Sequence, residues 1–133
     1  MMEGSLMERE KSRIAEKARD YYLGKTGQRF NCAQAVALAF AEKGDVSPEE
    51  VRGYSAMGAG RAPDGVCGAL FAAQAIARRE TGRENGLLMD FFREHAGGVR
   101  CREIRRAGQF ACVDCVELAA AFADRTVEGD RTE

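Results

Sequence analysis

The stretch Met57-Gly-Ala-Gly-Arg-Ala-Pro-Asp-Gly-Val-Cys67-Gly-Ala-Leu-Phe-Ala72 decides how this chain is read. Its first half holds Gly58, Gly60, Pro63 and Gly65, residues that allow positive φ or fix φ near about −65°, so it reads as a loop. From Cys67 to Ala77 alanine and leucine dominate and Ile76 is the sole β-branched residue, so a helix follows directly. Cys67 then falls in the first turn of that helix. Unpaired backbone N–H groups and the positive end of the macrodipole favour an anion there, and a thiolate is the anion a cysteine becomes.

The same placement recurs outward along the chain. Cys32 follows Asn31, a good N-cap, at the head of Ala33-Gln34-Ala35-Val36-Ala37-Leu38-Ala39-Phe40. Cys101 follows the Gly97-Gly98 break, and Cys112 opens the last helical run with Cys115 one turn on. The expectation is that four helix starts, at Cys32, Cys67, Cys101 and Cys112, converge on one thiol site.

The remaining elements are predicted as follows. A first helix over 6–23 carries the core stripe Ile14, Ala18, Tyr21 and Tyr22. A second over 31–43 is apolar nearly all round and therefore central. Ser47-Pro48-Glu49-Glu50 starts a short third helix, with Ser47 as N-cap, Pro48 at the first position and Glu50 closing a capping box. A fourth spans 66–80, its Gly68, Ala69, Ala72, Ala73 and Ala77 allowing close approach of a neighbouring backbone. A fifth over 84–95 sets Leu88, Phe91, Phe92 and His95 on one stripe, a helical turn follows Cys101, and a sixth over 111–124 buries Val116, Ala119 and Phe122. Residues 1–5 and 124–133 are expected to be flexible. No stretch alternates apolar with polar residues as a half-buried strand would. The expected architecture is all-α: one compact domain over 1–133, a bundle of five or six helices.

Twenty basic and 21 acidic residues leave a net charge of −1, so no global field points to nucleic acid or to an anionic membrane. No segment approaches the ~20 apolar residues of a membrane span, and no signal peptide is visible, so the expected location is cytoplasmic. In a reducing compartment five cysteines in 133 residues point to redox, catalytic or metal chemistry rather than structural cross-links.

Asn31-Cys32-Ala33-Gln34-Ala35-Val36, then Gly65-Val66-Cys67-Gly68-Ala69, then Cys101-Arg102-Glu103, then Cys112 with Val116 and Ala119-Ala120, resemble a bacterial and archaeal family named for its C_GCAxxG_C_C pattern. The resemblance covers about residues 10–123. It places the family's four cysteines on Cys32, Cys67, Cys101 and Cys112 and leaves Cys115 as an extra. The motif's final glycine is Ala72 here, and the Cys101–Cys112 interval is shorter than the family's. What the resemblance implies is a redox role. A similar domain occurs in a split-Soret type cytochrome, where an iron–sulfur centre is suspected.

Three readings follow. In the first, a helix-end thiolate attacks a disulfide or oxidant from an unidentified redox partner and a second cysteine resolves the product. In the second, the same four cysteines ligate an iron–sulfur cluster or zinc. In the third, the chain is a helical interaction domain with inert buried cysteines. Cys112-Val-Asp-Cys115 has CxxC spacing, but no strand precedes it as in a thioredoxin-type site, and Cys115 reads as a core residue or a local redox partner. The Gly60–Gly65 spacing lacks the lysine and strand of a phosphate loop. Arg93, Arg100, Arg102, Arg105 and Arg106 read as a solvated face around Cys101, and the lone His95 as a core residue. The apolar second helix and small-residue fourth are compatible with a homodimer.

Overall fold

The computed structural model describes residues 2–132 except 43, 45, 58–61, 63–64, 83–86 and 109, and describes no side chains for 2–12, 87 and 128–132. Among the described residues there are seven helices: α1 (Met2–Leu23), α2 (Cys32–Ala41), α3 (Pro48–Gly53), α4 (Gly68–Thr81), α5 (Leu87–Ala96), α6 (Cys101–Ala107) and α7 (Cys112–Thr132). The chain is all-α, as expected, with the turn after Cys101 developed into a helix of its own.

Four helices make the body. α7 packs on α1 and α4, and α2 lies against α1, α4 and α7. The central role of α2 follows from its composition: Ala33, Ala35, Val36, Ala37, Ala39 and Phe40 are all fully buried. Alanines let helix axes approach closely, and Phe40, Leu70, Ile76, Phe92 and Val116 fill the remaining volume. A fully buried side chain of this size contributes about 1.5–3 kcal/mol. The small and apolar residues of α2 and α4 pack mostly inside the chain, with Leu38 and Phe71 partly buried.

Local signals set the helix starts. Asn31 caps α2, its Oδ1 accepting from the Gln34 N–H at 2.8 Å while the Gln34 side chain accepts from the Asn31 N–H. The Asn31 amide also donates to the carbonyls of Tyr54 and Ser55, each at 3.0 Å, which ties the start of α2 to the end of α3. Ser47 caps α3 by accepting from the Glu50 N–H at 3.1 Å. The Glu50 carboxylate, expected to return to Ser47, is engaged instead by the Tyr54 hydroxyl at 3.0 Å and Arg79 at 2.8 Å. A guanidinium outcompetes a backbone amide for a carboxylate.

Two boundaries differ from the sequence expectation. α1 begins at Met2 rather than residue 6, and α7 runs to Thr132 rather than ending at 124. Val127, in the expected tail, is 1% exposed. A single valine among charged residues gives no periodicity, so only its packing reveals it. His95 is a further correction. It lies on the exposed side of α5, its Nδ1 2.9 Å from the Phe91 carbonyl oxygen, while Leu88, Phe92 and Ala96 turn inward.

Candidate functional site: a cavity of five cysteines

Each site cysteine sits where a helix begins. Cys32, Cys101 and Cys112 are the first residues of α2, α6 and α7, and Cys67 is the N-cap of α4. A short backbone link brings two of these ends together: Val66 and Arg100 form an antiparallel bridge, and the Cys67 N–H donates to the Val99 carbonyl at 2.8 Å. The start of α6 is fixed by the Glu103 carboxylate, which accepts from the N–H groups of Val99 at 3.1 Å and Arg100 at 3.2 Å. These bonds hold the Glu103 carboxyl below the usual carboxylate range. Gly68 seats α4 against α2. A Cβ at that position would stand 2.8 Å from the Cys32 sulfur and collide with the Met57 carbonyl oxygen.

The result is one cavity of about 90 Å³ lined by Cys32, Cys67, Cys101, Cys112 and Cys115, closed by Ile104, Arg105, Phe110 and Ala111. All four expected cysteines are brought together, and Cys115 joins them. None of the five is in a disulfide. Cys67 is buried, 4% exposed, and within hydrogen-bonding reach of the sulfurs of Cys101, Cys115 and Cys32. Cys32 and Cys115 are also buried, Cys101 is half-buried and Cys112 is exposed.

The electrostatics correct one expectation. Cys67 sits at a helix N-terminus, yet its pKa is raised well above the ordinary thiol value. Its S–H is engaged by three neighbouring sulfurs and burial opposes the charge. A helix end is worth about 0.3–2 kcal/mol to an anion, and desolvation of a buried charge outweighs it. Cys112 is the most exposed of the five. Partial burial and nearby Cys32, Cys101 and Cys115 leave its thiol above the ordinary value, although a hydrogen bond from Tyr22 pulls against them. Tyr22 is itself pushed up to about 12, by burial first and then by the adjacent Cys112. Its hydroxyl therefore stays protonated and donates to the Cys112 sulfur. Tyr22 was assigned to the core stripe, and nothing in α1 distinguishes it from Tyr21. Only the meeting of α1 with the start of α7 gives it this role.

Among the basic residues, Arg93 pairs with Asp90 and Arg100 with Glu103, while Arg102, Arg105 and Arg106 are exposed. They form a solvated face, of which Arg105 alone lines the thiol cavity. Gly58, Gly60, Arg61 and Pro63 of the glycine-rich loop lie outside the described residues, and with them the phosphate-loop question.

Four cysteines are chemically a donor set for zinc or an iron–sulfur cluster. Among the described residues no group of three or more His, Cys, Asp or Glu side chains stands in metal-holding geometry. No described helix is long and apolar enough to cross a membrane.

A protein-family model described as "Putative redox-active protein (C_GCAxxG_C_C)" matches residues 30–126, a span that holds all five cysteines. No curated protein and no solved structure matches the chain.

Proposed function

Because the chain belongs to the C_GCAxxG_C_C family, we propose that it performs thiol–disulfide exchange, with Cys112 as the attacking thiol and Cys115 as the resolving one. What supports this reading is that five cysteines line one cavity while Cys112 alone among them is exposed.

The Cys112 thiolate attacks one sulfur of a disulfide R–S–S–R. A Cys112–S–S–R bond forms, the R–S–S–R bond breaks, and the leaving R–S⁻ takes a proton from solvent. The Tyr22 hydroxyl steadies the attacking thiolate, and Arg105 sets a positive charge at the cavity wall. Cys115 then loses its proton and attacks the Cys112 sulfur. A Cys112–Cys115 disulfide forms and the second R–S⁻ departs and is protonated. Two electrons and two protons have passed to R–S–S–R, which leaves as two thiols, and the reverse sequence oxidises a dithiol. In an ideal helix residues three apart have Cα atoms about 5 Å from each other, inside the ~4.4–6.8 Å that a disulfide bridges. Buried Cys67 and Cys32 and half-buried Cys101 line the same cavity as this pair.

Such exchange suits a reducing, cytoplasmic setting. The test is peptide mapping of the reduced protein after treatment with a small disulfide. A Cys112 adduct followed by a Cys112–Cys115 bond is expected, with the adduct trapped in Cys115→Ser and absent in Cys112→Ser. Full exchange by Cys112→Ser overturns the assignment. Stoichiometric iron or zinc in anaerobically purified protein overturns it in favour of a metal module, and five inert native thiols overturn it in favour of an interaction domain.

A further inference from the structure

A second concavity adjoins the thiols. Between α1, α5 and α7 lies an open groove of about 830 Å³, within the ~300–1,000 Å³ of pockets that seat small ligands. One wall is aromatic. Phe91 and Phe122 have ring centroids 4.2 Å apart, His95 stacks on Phe91 at 4.1 Å, and the Arg125 guanidinium lies 5.8 Å from the Phe122 centroid. The rest carries both signs of charge. Arg19, Lys25 and Arg125 face it together with Glu16, Asp20, Asp114 and Glu117. Two of these cations already hold carboxylates, Arg19 with Glu117 at 3.0 Å and Lys25 with Asp20 at 4.0 Å.

Phe110 lines both this groove and the thiol cavity, and Asp114, on the groove, lies between Cys112 and Cys115 in the chain. The two hollows share a wall. We propose that the groove binds low-molecular-weight thiol compounds bearing both ammonium and carboxylate groups, and that it presents their disulfides to Cys112. This rests on the exchange reading above for the step at sulfur, in which the ligand's S–S bond breaks, Cys112–S–S–R forms and R–S⁻ leaves with a solvent proton. The observations select this ligand class. A wholly apolar ligand covers the charged residues, paired or not, and replaces none of the water they lose. Carboxylates in the lining repel a polyanion that carries no ammonium group. A protein surface lacks a landing patch, since Leu23 is the exposed large hydrophobic among the described residues. A zwitterion finds partners of both signs and an aromatic wall for its backbone.

The experiment uses reduced full-length protein and two probes. S-methylglutathione, which cannot exchange, is titrated and followed by amide shifts. Saturable binding is expected, weakened about tenfold or more by Arg125→Glu and by Lys25→Glu, and unchanged by Arg52→Glu on exposed α3. Oxidised glutathione and neutral 2-hydroxyethyl disulfide are then compared for the rate of Cys112 adduct formation. The charged probe is expected to react faster, with that advantage lost in Arg125→Glu. Absence of saturable binding, or binding indifferent to both groove variants, overturns the groove as the site whatever Cys112 does. Binding of S-methylglutathione with Cys112 inert to both disulfides upholds the groove and refutes the exchange reading, so the two failures are separable.

Discussion

Gly68→Ala tests the contact on which the thiol cavity depends. Gly68 is the first residue of α4, and an added methyl meets the Met57 carbonyl oxygen, the Cys32 sulfur at 2.8 Å and the Ala33 Cβ at 3.4 Å. The carbonyl belongs to backbone and the sulfur to a buried side chain, so neither swings aside as a flexible tip would. Overpacking of this kind costs about 2–3 kcal/mol, and the better helix propensity of alanine returns roughly 0.5–1 kcal/mol of it. The net loss is about 1–2.5 kcal/mol. At ~2.1 cal/mol/K of unfolding entropy per residue, that lowers the Tm of a 133-residue chain by about 4–9 °C. Relief of the clash moves the start of α4 away from α2, and Cys67 moves with it, away from the Cys32 sulfur. Native-state thiol titration should therefore show Cys67 reacting faster in the variant. The matched control is Gly53→Ala at the end of α3, where a Cβ meets nothing within 4 Å. It is expected to hold or raise the Tm. A Gly68→Ala protein with unchanged Tm and unchanged thiol kinetics refutes the close approach and the cavity built on it.

Tyr22→Phe removes the hydrogen bond that favours the Cys112 thiolate. With such a bond worth about 1 kcal/mol at a half-open site, the thiolate fraction at pH 7 falls about fivefold. The greater basicity recovers part of the rate, so iodoacetamide should modify Cys112 about 2–3-fold more slowly; an unchanged rate removes Tyr22 from the site. Cys67 predicts an alkaline limit to stability. Its folded pKa is raised, so above the unfolded thiol value of about 8.5 the folded state keeps a proton the unfolded state has lost, and stability falls as pH rises. Urea midpoints between about pH 7.5 and 9.5 should decline, and less steeply in Cys67→Ala. Val127→Ala should cost about 2 kcal/mol, visible as a Tm drop near 7 °C; no drop means that the last turns of α7 do not pack.

Legibility in the sequence divides by range. Asn31, Ser47-Pro48 and the glycine after Thr81 mark helix limits because capping and left-handed termination are decided within a few residues. The cysteines at helix starts were readable for the same reason. Their convergence was readable only as an inference from their repeated placement. What joins them is tertiary: the Val66–Arg100 bridge and the Gly68 seat. Tyr22, Phe110 and Val127 acquire their roles from helices distant in the chain, and the pairing of Glu50 with Arg79 spans 29 residues. None of these leaves a local trace.

The thiol expectation failed at Cys67, and less severely at Cys112, in an instructive way. A helix N-terminus favours an anion in proportion to its partial charge, and that advantage is nearly the same at all four starts. Burial is not the same at all four. It therefore ranks cysteines that the helix ends leave equal, and it ranks them from the outside inward: Cys112 in solvent, Cys101 half covered, Cys32 and Cys67 enclosed. A cavity of this size cannot hold several thiolates, since each charge raises the cost of the next. Ionisation must begin at the rim, where water and the Tyr22 hydroxyl share the charge, and the inner sulfurs must stay as S–H until bond formation at the rim consumes it. Direction of attack is thus a property of the packing that surrounds the cysteines, and the helix ends serve chiefly to bring the sulfurs to one place.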